Sequence, residues 1–242
     1  MEKLVYLLWK GAGPAEPAWV EQLLGPTAAT LLALEPAGLS MSVADAEAAA
    51  AQVPLPPPPD DPAPVALVSI WLDCHDDRGP YEAVLSEVAD RLAGYLVTES
   101  LPTDYGRNPW SQPRDWPDGE RSRGVVVLTL MEQPERLDDE AWYGHWYGTQ
   151  TPMSTDIQPR TRYVRNAVAR AVTPGAPPYR GVVEEAWPSA EHVNDPMLFY
   201  CADGDQAVLD ANLATMMDSV TAFLDLDRIR LAAMSEYLLK TP

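Results

Sequence analysis

Histidine, phenylalanine and cysteine are scarce in this 242-residue chain, at three, two and two copies. Two thiols, Cys74 and Cys201, cannot build a disulfide framework in a chain of this length. They have no CxxC spacing, and only His75 lies beside either of them, so nothing marks a nucleophile. Cys201, in MLFYCA, reads as a small buried apolar group. Basic residues are outnumbered, 17 against 36 acidic, for a net charge of −19. Such a field repels phosphate backbones and anionic lipid surfaces, so neither nucleic acid nor membrane is an expected partner. No apolar run approaches the roughly 18 residues that span a bilayer. The first apolar run starts at Lys3 and leaves no room for a cationic leader, so a cytoplasmic location is the expectation. There is no Walker loop, no GxGxxG and no HExxH, and no cofactor or metal is expected on motif grounds.

What is present is a core. Hydrophobic residues make up 46% of the chain and charged residues 22%, a globular balance. Lys3–Trp9 (KLVYLLW) is an unbroken apolar run of strand length, so both of its faces must be covered. A Gly/Pro turn follows, then a helix beginning near Pro17, with Trp19, Val20, Leu23 and Leu24 at helical spacing. Gly38–Val43 is a short strand candidate. The proline tract from Val53 to Pro64 reads as an extended spacer, with a polyproline ligand as the alternative. Val65–Leu72 is a strand, Tyr81–Leu92 an amphipathic helix and Tyr95–Thr98 a strand.

The same order recurs after residue 123. Gly124–Leu130 (GVVVLTL) is a strand, and a helix from Asp138 to about Gly148 has Asp138 as its N-cap. Thr161–Val172 and Gly181–Trp187 are extended. Helical stretches start at Ser189 and cover Ala207–Phe223, and a last strand lies near Arg228–Tyr237. Each half thus reads strand, helix, strand, strand, helix, strand, the ferredoxin-like order. Trp19 follows Leu4 by fifteen residues and Trp142 follows Val127 by fifteen, as a worn duplication would leave. The expected class is α+β: two ferredoxin-like βαββαβ halves, residues 1–101 and 124–242, joined by a connector over 102–123. A sheet with helices on one face leaves the other face bare and apolar, and two such faces should close into an intramolecular α+β barrel. The space between the sheets is then the expected pocket.

LDDEAWYGHWYGTQTPMS, followed by RTRYVRN, YRGVVEEAW and FLDLDRIRLAAMSEYLL, resembles the EthD-type domain of the dimeric α+β barrel superfamily over most of residues 124–240. The resemblance implies a domain that pairs with a second copy, here fused in tandem. The family motif sets an aromatic, a tryptophan, a histidine and a proline at positions held here by Trp142, Trp146, Gln150 and Pro152. Glutamine replaces the histidine. Relatives with enzymatic roles use a pocket histidine as acid or base, and a carboxamide hydrogen-bonds without titrating.

For chemistry, His145 is the remaining histidine of that helix. It is offset by five residues from Gln150 and points about 140° away, which also suits a helix-packing role. His145 and Glu236 are the candidate catalytic groups. Trp142, Trp146, Gln150, Tyr163, Arg165 and Asn166 are the candidate substrate contacts, because flat aromatic rings with a few polar groups suit planar organic ligands. The aromatics could equally fill the core, and Arg165 could sit in a structural ion pair with a strand glutamate. His75 lies in DCHDD, which has the look of a metal site but also of a solvated turn. His192 stands alone. The expected partner is a small hydrophobic or aromatic ligand, and a further homodimer is left open. Two function classes follow: a cofactor-independent cyclase or dehydratase, and a non-catalytic small-molecule binding protein. A haem-dependent oxidoreductase would need a histidine inside the pocket.

Overall fold

The computed structural model describes residues 1–11, 15–55, 57–58 and 61–242. Part of the Gly/Pro turn after Trp9 and part of the proline tract lie outside the described residues. Eight strands form: β1 (Glu2–Trp9), β2 (Gly38–Val43), β3 (Ala66–Leu72), β4 (Arg91–Thr103), β5 (Val125–Glu132), β6 (Arg162–Ala171), β7 (Tyr179–Trp187) and β8 (Ile229–Lys240). They close into an antiparallel barrel in the order β1-β3-β2-β8-β5-β7-β6-β4. Within each run of four, the fourth strand flanks the first and the third flanks the second. The seams between the runs are β2 on β8 and β4 on β6.

The helices lie outside. The first run is covered by α1 (Pro17–Gln22), a π turn (Leu23–Thr27), α2 (Ala28–Ala33) and α3 (Gly79–Val88). The second is covered by α4 (Asp139–His145), a π turn (Trp146–Gln150), α5 (Thr151–Ile157), α6 (Ala190–Asn194), α7 (Pro196–Phe199) and α8 (Gln206–Phe223). Asp138 caps α4 by accepting from the Ala141 N–H at 2.8 Å. Each π turn starts four residues after a tryptophan, Trp19 or Trp142. Each also meets a proline, Pro26 inside the first and Pro152 just past the second. A proline has no N–H to give the preceding turn, and widening is one way a helix absorbs that loss.

The helix expected over Tyr81–Leu92 ends at Val88, and Arg91 already pairs with Trp9 in β4. Strand pairing with β1 takes Leu92 from the helix. The Tyr95–Thr98 strand grows to thirteen residues because β4 has a neighbour on both edges, β1 and β6.

Because side chains alternate across a strand, each strand has an inward and an outward set. Outward residues form two separate layers beneath the helices, one around Leu4, Tyr6, Leu8, Trp19 and Leu23, the other around Trp142, Trp146, Trp187 and Phe223. Inward residues fill the barrel. Val5, Leu7, Tyr95, Leu128, Val182 and Met234 pack among its apolar contents. Toward the other end runs a buried polar network. Lys3 Nζ sits 3.0 Å from Glu99 and 3.6 Å from Glu184, Asn166 donates to Glu184 at 3.1 Å, and Arg162 donates to Glu236 at 2.6 Å. The expected pocket between the sheets is therefore occupied by the protein's own side chains.

Candidate functional site

An apolar cavity of about 370 Å³ lies outside the barrel, between the outward face of β5, β7 and β8 and helix α8. Its floor is Thr129, Met131, Val183, Ile229 and Leu231, and its roof includes Met216, Val220 and Phe223 of α8. Trp146 and Tyr163 form an aromatic wall, and Phe199 and Tyr200 form another. Leu213 and Met217 are exposed members of the lining. Pro54 and Leu55 also reach it, although they belong to the segment between β2 and β3. Asn194 of α6 ties that segment down, accepting from the Gln52 N–H at 2.7 Å and donating to the Ala50 carbonyl at 2.9 Å. The proline tract thus begins as a strap over the second helix layer.

Few polar groups reach this space, and each has a traceable position. Gln150 leaves the π turn on the same face as Trp146. Its Nε2 donates to Met216 Sδ at 3.3 Å, and its Oε1 is buried with no hydrogen-bond partner among the described residues. Such an acceptor is costly unless something donates to it. Glu185 of β7 supplies a carboxylate. Arg160, only 2% exposed, donates to Glu185 Oε1 at 2.6 Å and to Ser154 at 2.7 Å, and its guanidinium lies 4.0 Å from the Tyr163 ring centroid. Burial raises the Tyr200 phenol above its ordinary pKa, keeping it a neutral donor.

Trp146, Gln150 and Tyr163 of the sequence-predicted set meet at this cavity. Trp142 stands behind them, fully buried, its ring 5.1 Å from that of Trp146. Arg165 turns away to donate to Thr151 Oγ1 at 3.0 Å and to cover the Tyr147 ring. Asn166 and Glu236 point into the barrel, where Glu236 accepts from Arg162 and, at 3.0 Å, from Tyr105. His145 packs on α8, its Nε2 3.0 Å from Ser219 Oγ and its ring stacked on Phe223, and does not line the cavity. The structure does not bring His145 and Glu236 together: one lies under α8 and the other inside the barrel. His75 spends both ring nitrogens, Nδ1 on Glu2 at 2.8 Å and Nε2 on Arg170 at 2.6 Å. No cluster able to hold a metal ion occurs among the described residues.

Glu185, Arg160 and the α8 face also belong to the site and are not among the residues expected from the sequence. A signal for Glu185 existed: adjacent glutamates in the apolar strand GVVEEAW must point to opposite faces. Glu184 enters the barrel and Glu185 the cavity.

No protein-family model and no curated protein sequence matches the chain. Among solved structures, it is similar to an anthrone oxidase-like protein at 12% identity, over 98% of this chain and 93% of that one, with a TM-score of 0.56. It also aligns with a "putative monooxygenase from Lactobacillus acidophilus NCFM" at 9% identity, over 99% and 96%, with a TM-score of 0.48. The first likeness shows a shared fold and no more. No helix is long and apolar enough to cross a membrane among the described residues.

Proposed function

We propose that the chain binds a small, flat, hydrophobic molecule in the cavity under α8 and moves a proton on it without a cofactor, as a tandem EthD-type protein whose second half holds the site. The observation that carries this reading is the meeting of two polar groups in one apolar, aromatic-walled space: the unpartnered Gln150 Oε1 and the Glu185 carboxylate. Gln150 accepts from a hydroxyl or N–H of the ligand and fixes its orientation. Trp146 and Tyr163 stack on its faces. Glu185 takes a proton from the oriented ligand and returns it elsewhere, the step that opens a cyclisation or a dehydration. Arg160 positions that carboxylate, and the apolar walls exclude water.

A second reading, a binding protein without catalysis, draws on the same ion pair. A carboxylate oxygen held 2.6 Å from a buried guanidinium is already engaged in an ion pair, which suits a fixed polar contact as well as a proton acceptor. One experiment separates the two. Native mass spectrometry of protein from its own host identifies the bound compound, which is then incubated with the protein in D₂O. Catalysis gives deuterium incorporation that Glu185→Gln slows by about 10²–10⁴-fold. Binding without exchange in the unmodified protein supports the second reading. No bound compound, together with no affinity for a planar probe such as 2-naphthol, contradicts both.

A further inference from the structure

The connector that follows β4 folds over the polar end of the barrel and encloses a second pocket, of about 190 Å³. It shares no wall residue with the cavity under α8. Tyr105, Trp110 and Trp116 supply three rings, and Pro113 and Pro188 supply two flat aliphatic walls. The Tyr105 and Trp116 rings meet edge to face at 5.1 Å.

This pocket is a built feature. Gly106 adopts φ +74°, and a Cβ there would lie 2.6 Å from the Pro113 nitrogen, so the two ends of the loop close at a position that needs glycine. Asn108 Nδ2 donates to the Thr161 carbonyl at 2.8 Å, and Ser111 Oγ donates to the same carbonyl at 3.2 Å. The loop is thereby fastened to the residue preceding β6.

Two of its wall residues have an unspent polar atom. Trp116 Nε1 and Thr161 Oγ1 are both buried, and neither has a hydrogen-bond partner among the described residues. The indole N–H can only donate, and the hydroxyl can donate. Arg123 is the single charged residue of the wall, and its guanidinium carbon lies 5.6 Å from the Trp116 ring. That guanidinium is already paired with Asp115 of the same connector at 2.8 Å, so the open demand of the wall comes from its two unspent donors. The demand is for an acceptor, presented by something flat.

We propose that this connector pocket is a second small-molecule site, taking a single-ring aromatic compound that bears a carbonyl or carboxylate oxygen. The ring lies among Tyr105, Trp110 and Trp116. The oxygen accepts from Trp116 Nε1 and Thr161 Oγ1. The size is sufficient, since an apolar cavity of about 150 Å³ takes up benzene.

Benzamide and benzoate, titrated into the whole 242-residue chain, test this by ligand-observed NMR. Binding of either supports the proposal when both Trp116→Phe, which keeps a ring and removes the donor, and Thr161→Val weaken it about three- to tenfold. Tighter binding of benzoate that falls to the benzamide level in Arg123→Gln assigns the ligand as an anion. Equal binding of the two assigns a neutral acceptor. No binding of either compound at millimolar concentration overturns the proposal, as does binding that both donor variants leave unchanged.

Discussion

The two helix layers that flank the barrel are built to one plan and end in different states. In the first, β1 sends Leu4, Tyr6 and Leu8 outward. In the second, β5 sends Val127, Thr129 and Met131 outward. Counted from Trp19 and Trp142, Tyr6 and Thr129 hold the same place. Tyr6 lies across its cross-strand partner Gly94, where a Cβ would come within 2.5 Å of the ring, and its hydroxyl reaches Glu82 at 3.1 Å. Thr129 faces Leu231 and leaves the space above it open. By the same register Ile70 of β3 corresponds to Glu185 of β7, each two strand positions from the tryptophan-ending or leucine-ending close of its strand. Leu23 corresponds to Trp146 and Thr27 to Gln150, at the first and last positions of the two π turns. One layer spends a tyrosine to close itself. The other spends a threonine, a glutamate and a glutamine to stay open and polar at chosen points. Strand order does not distinguish them; these side chains do, together with the longer α8 and with α6 and α7, which only the second layer has.

Changing those side chains should convert one layer toward the other. Tyr6→Thr should cost about 3–5 kcal/mol of stability, as large-to-small changes of buried aromatics do, read from chemical denaturation. A loss below about 1 kcal/mol would mean that Tyr6 is not what closes the first layer. The converse, Thr129→Tyr, should leave a folded protein whose 2-naphthol affinity drops about a hundredfold, because the ring fills the cavity. Unchanged affinity would place the ligand elsewhere. Gly94→Ala should destabilise by about 1–3 kcal/mol through overpacking against Tyr6. Gly144→Ala, in α4 with nothing within 4 Å of the new methyl, should instead stabilise by about 0.5–1 kcal/mol. Thermal melts of the pair in parallel check the contrast.

The smallest effect concerns pH. Burial, with Glu82 nearby, raises the Tyr6 phenol above its ordinary value of 10.0, and burial pushes Tyr179 up to about 12. A folded state that holds its phenolic protons longer than the unfolded chain loses stability as pH rises above 10, toward the folded values. Each such group should remove about 1 kcal/mol per unit in that window. Denaturation midpoints between pH 9 and 11 read the slope. A flat profile would show these phenols free to ionise in place.

Much of the barrel was legible in the sequence because it rests on periodicity. Continuous apolar runs such as KLVYLLW and GVVVLTL announced strands covered on both faces, and Asp138 announced a helix start. The location of the open space was not legible. A closed barrel and an open one have the same strand pattern, and only the fit of Val5, Leu7, Tyr95 and Met234 decides which forms. The polar residues named for the site divided by strand parity. Tyr163 faces out to the cavity, whereas Asn166 and Glu236 face in to the buried network. Parity needs a register, and register needs the pairing partners. The π turns were also invisible, since no residue pattern announces a widened turn beyond the nearby prolines.

A crystal pressurised with xenon tests the contrast between the layers without knowledge of any ligand, because the gas enters apolar space large enough to hold it. Xenon should enter beneath α8, beside Trp146 and Met216, and not between β1 and the helices that cover Tyr6. Xenon in the first layer, or an unoccupied second layer, would contradict that contrast.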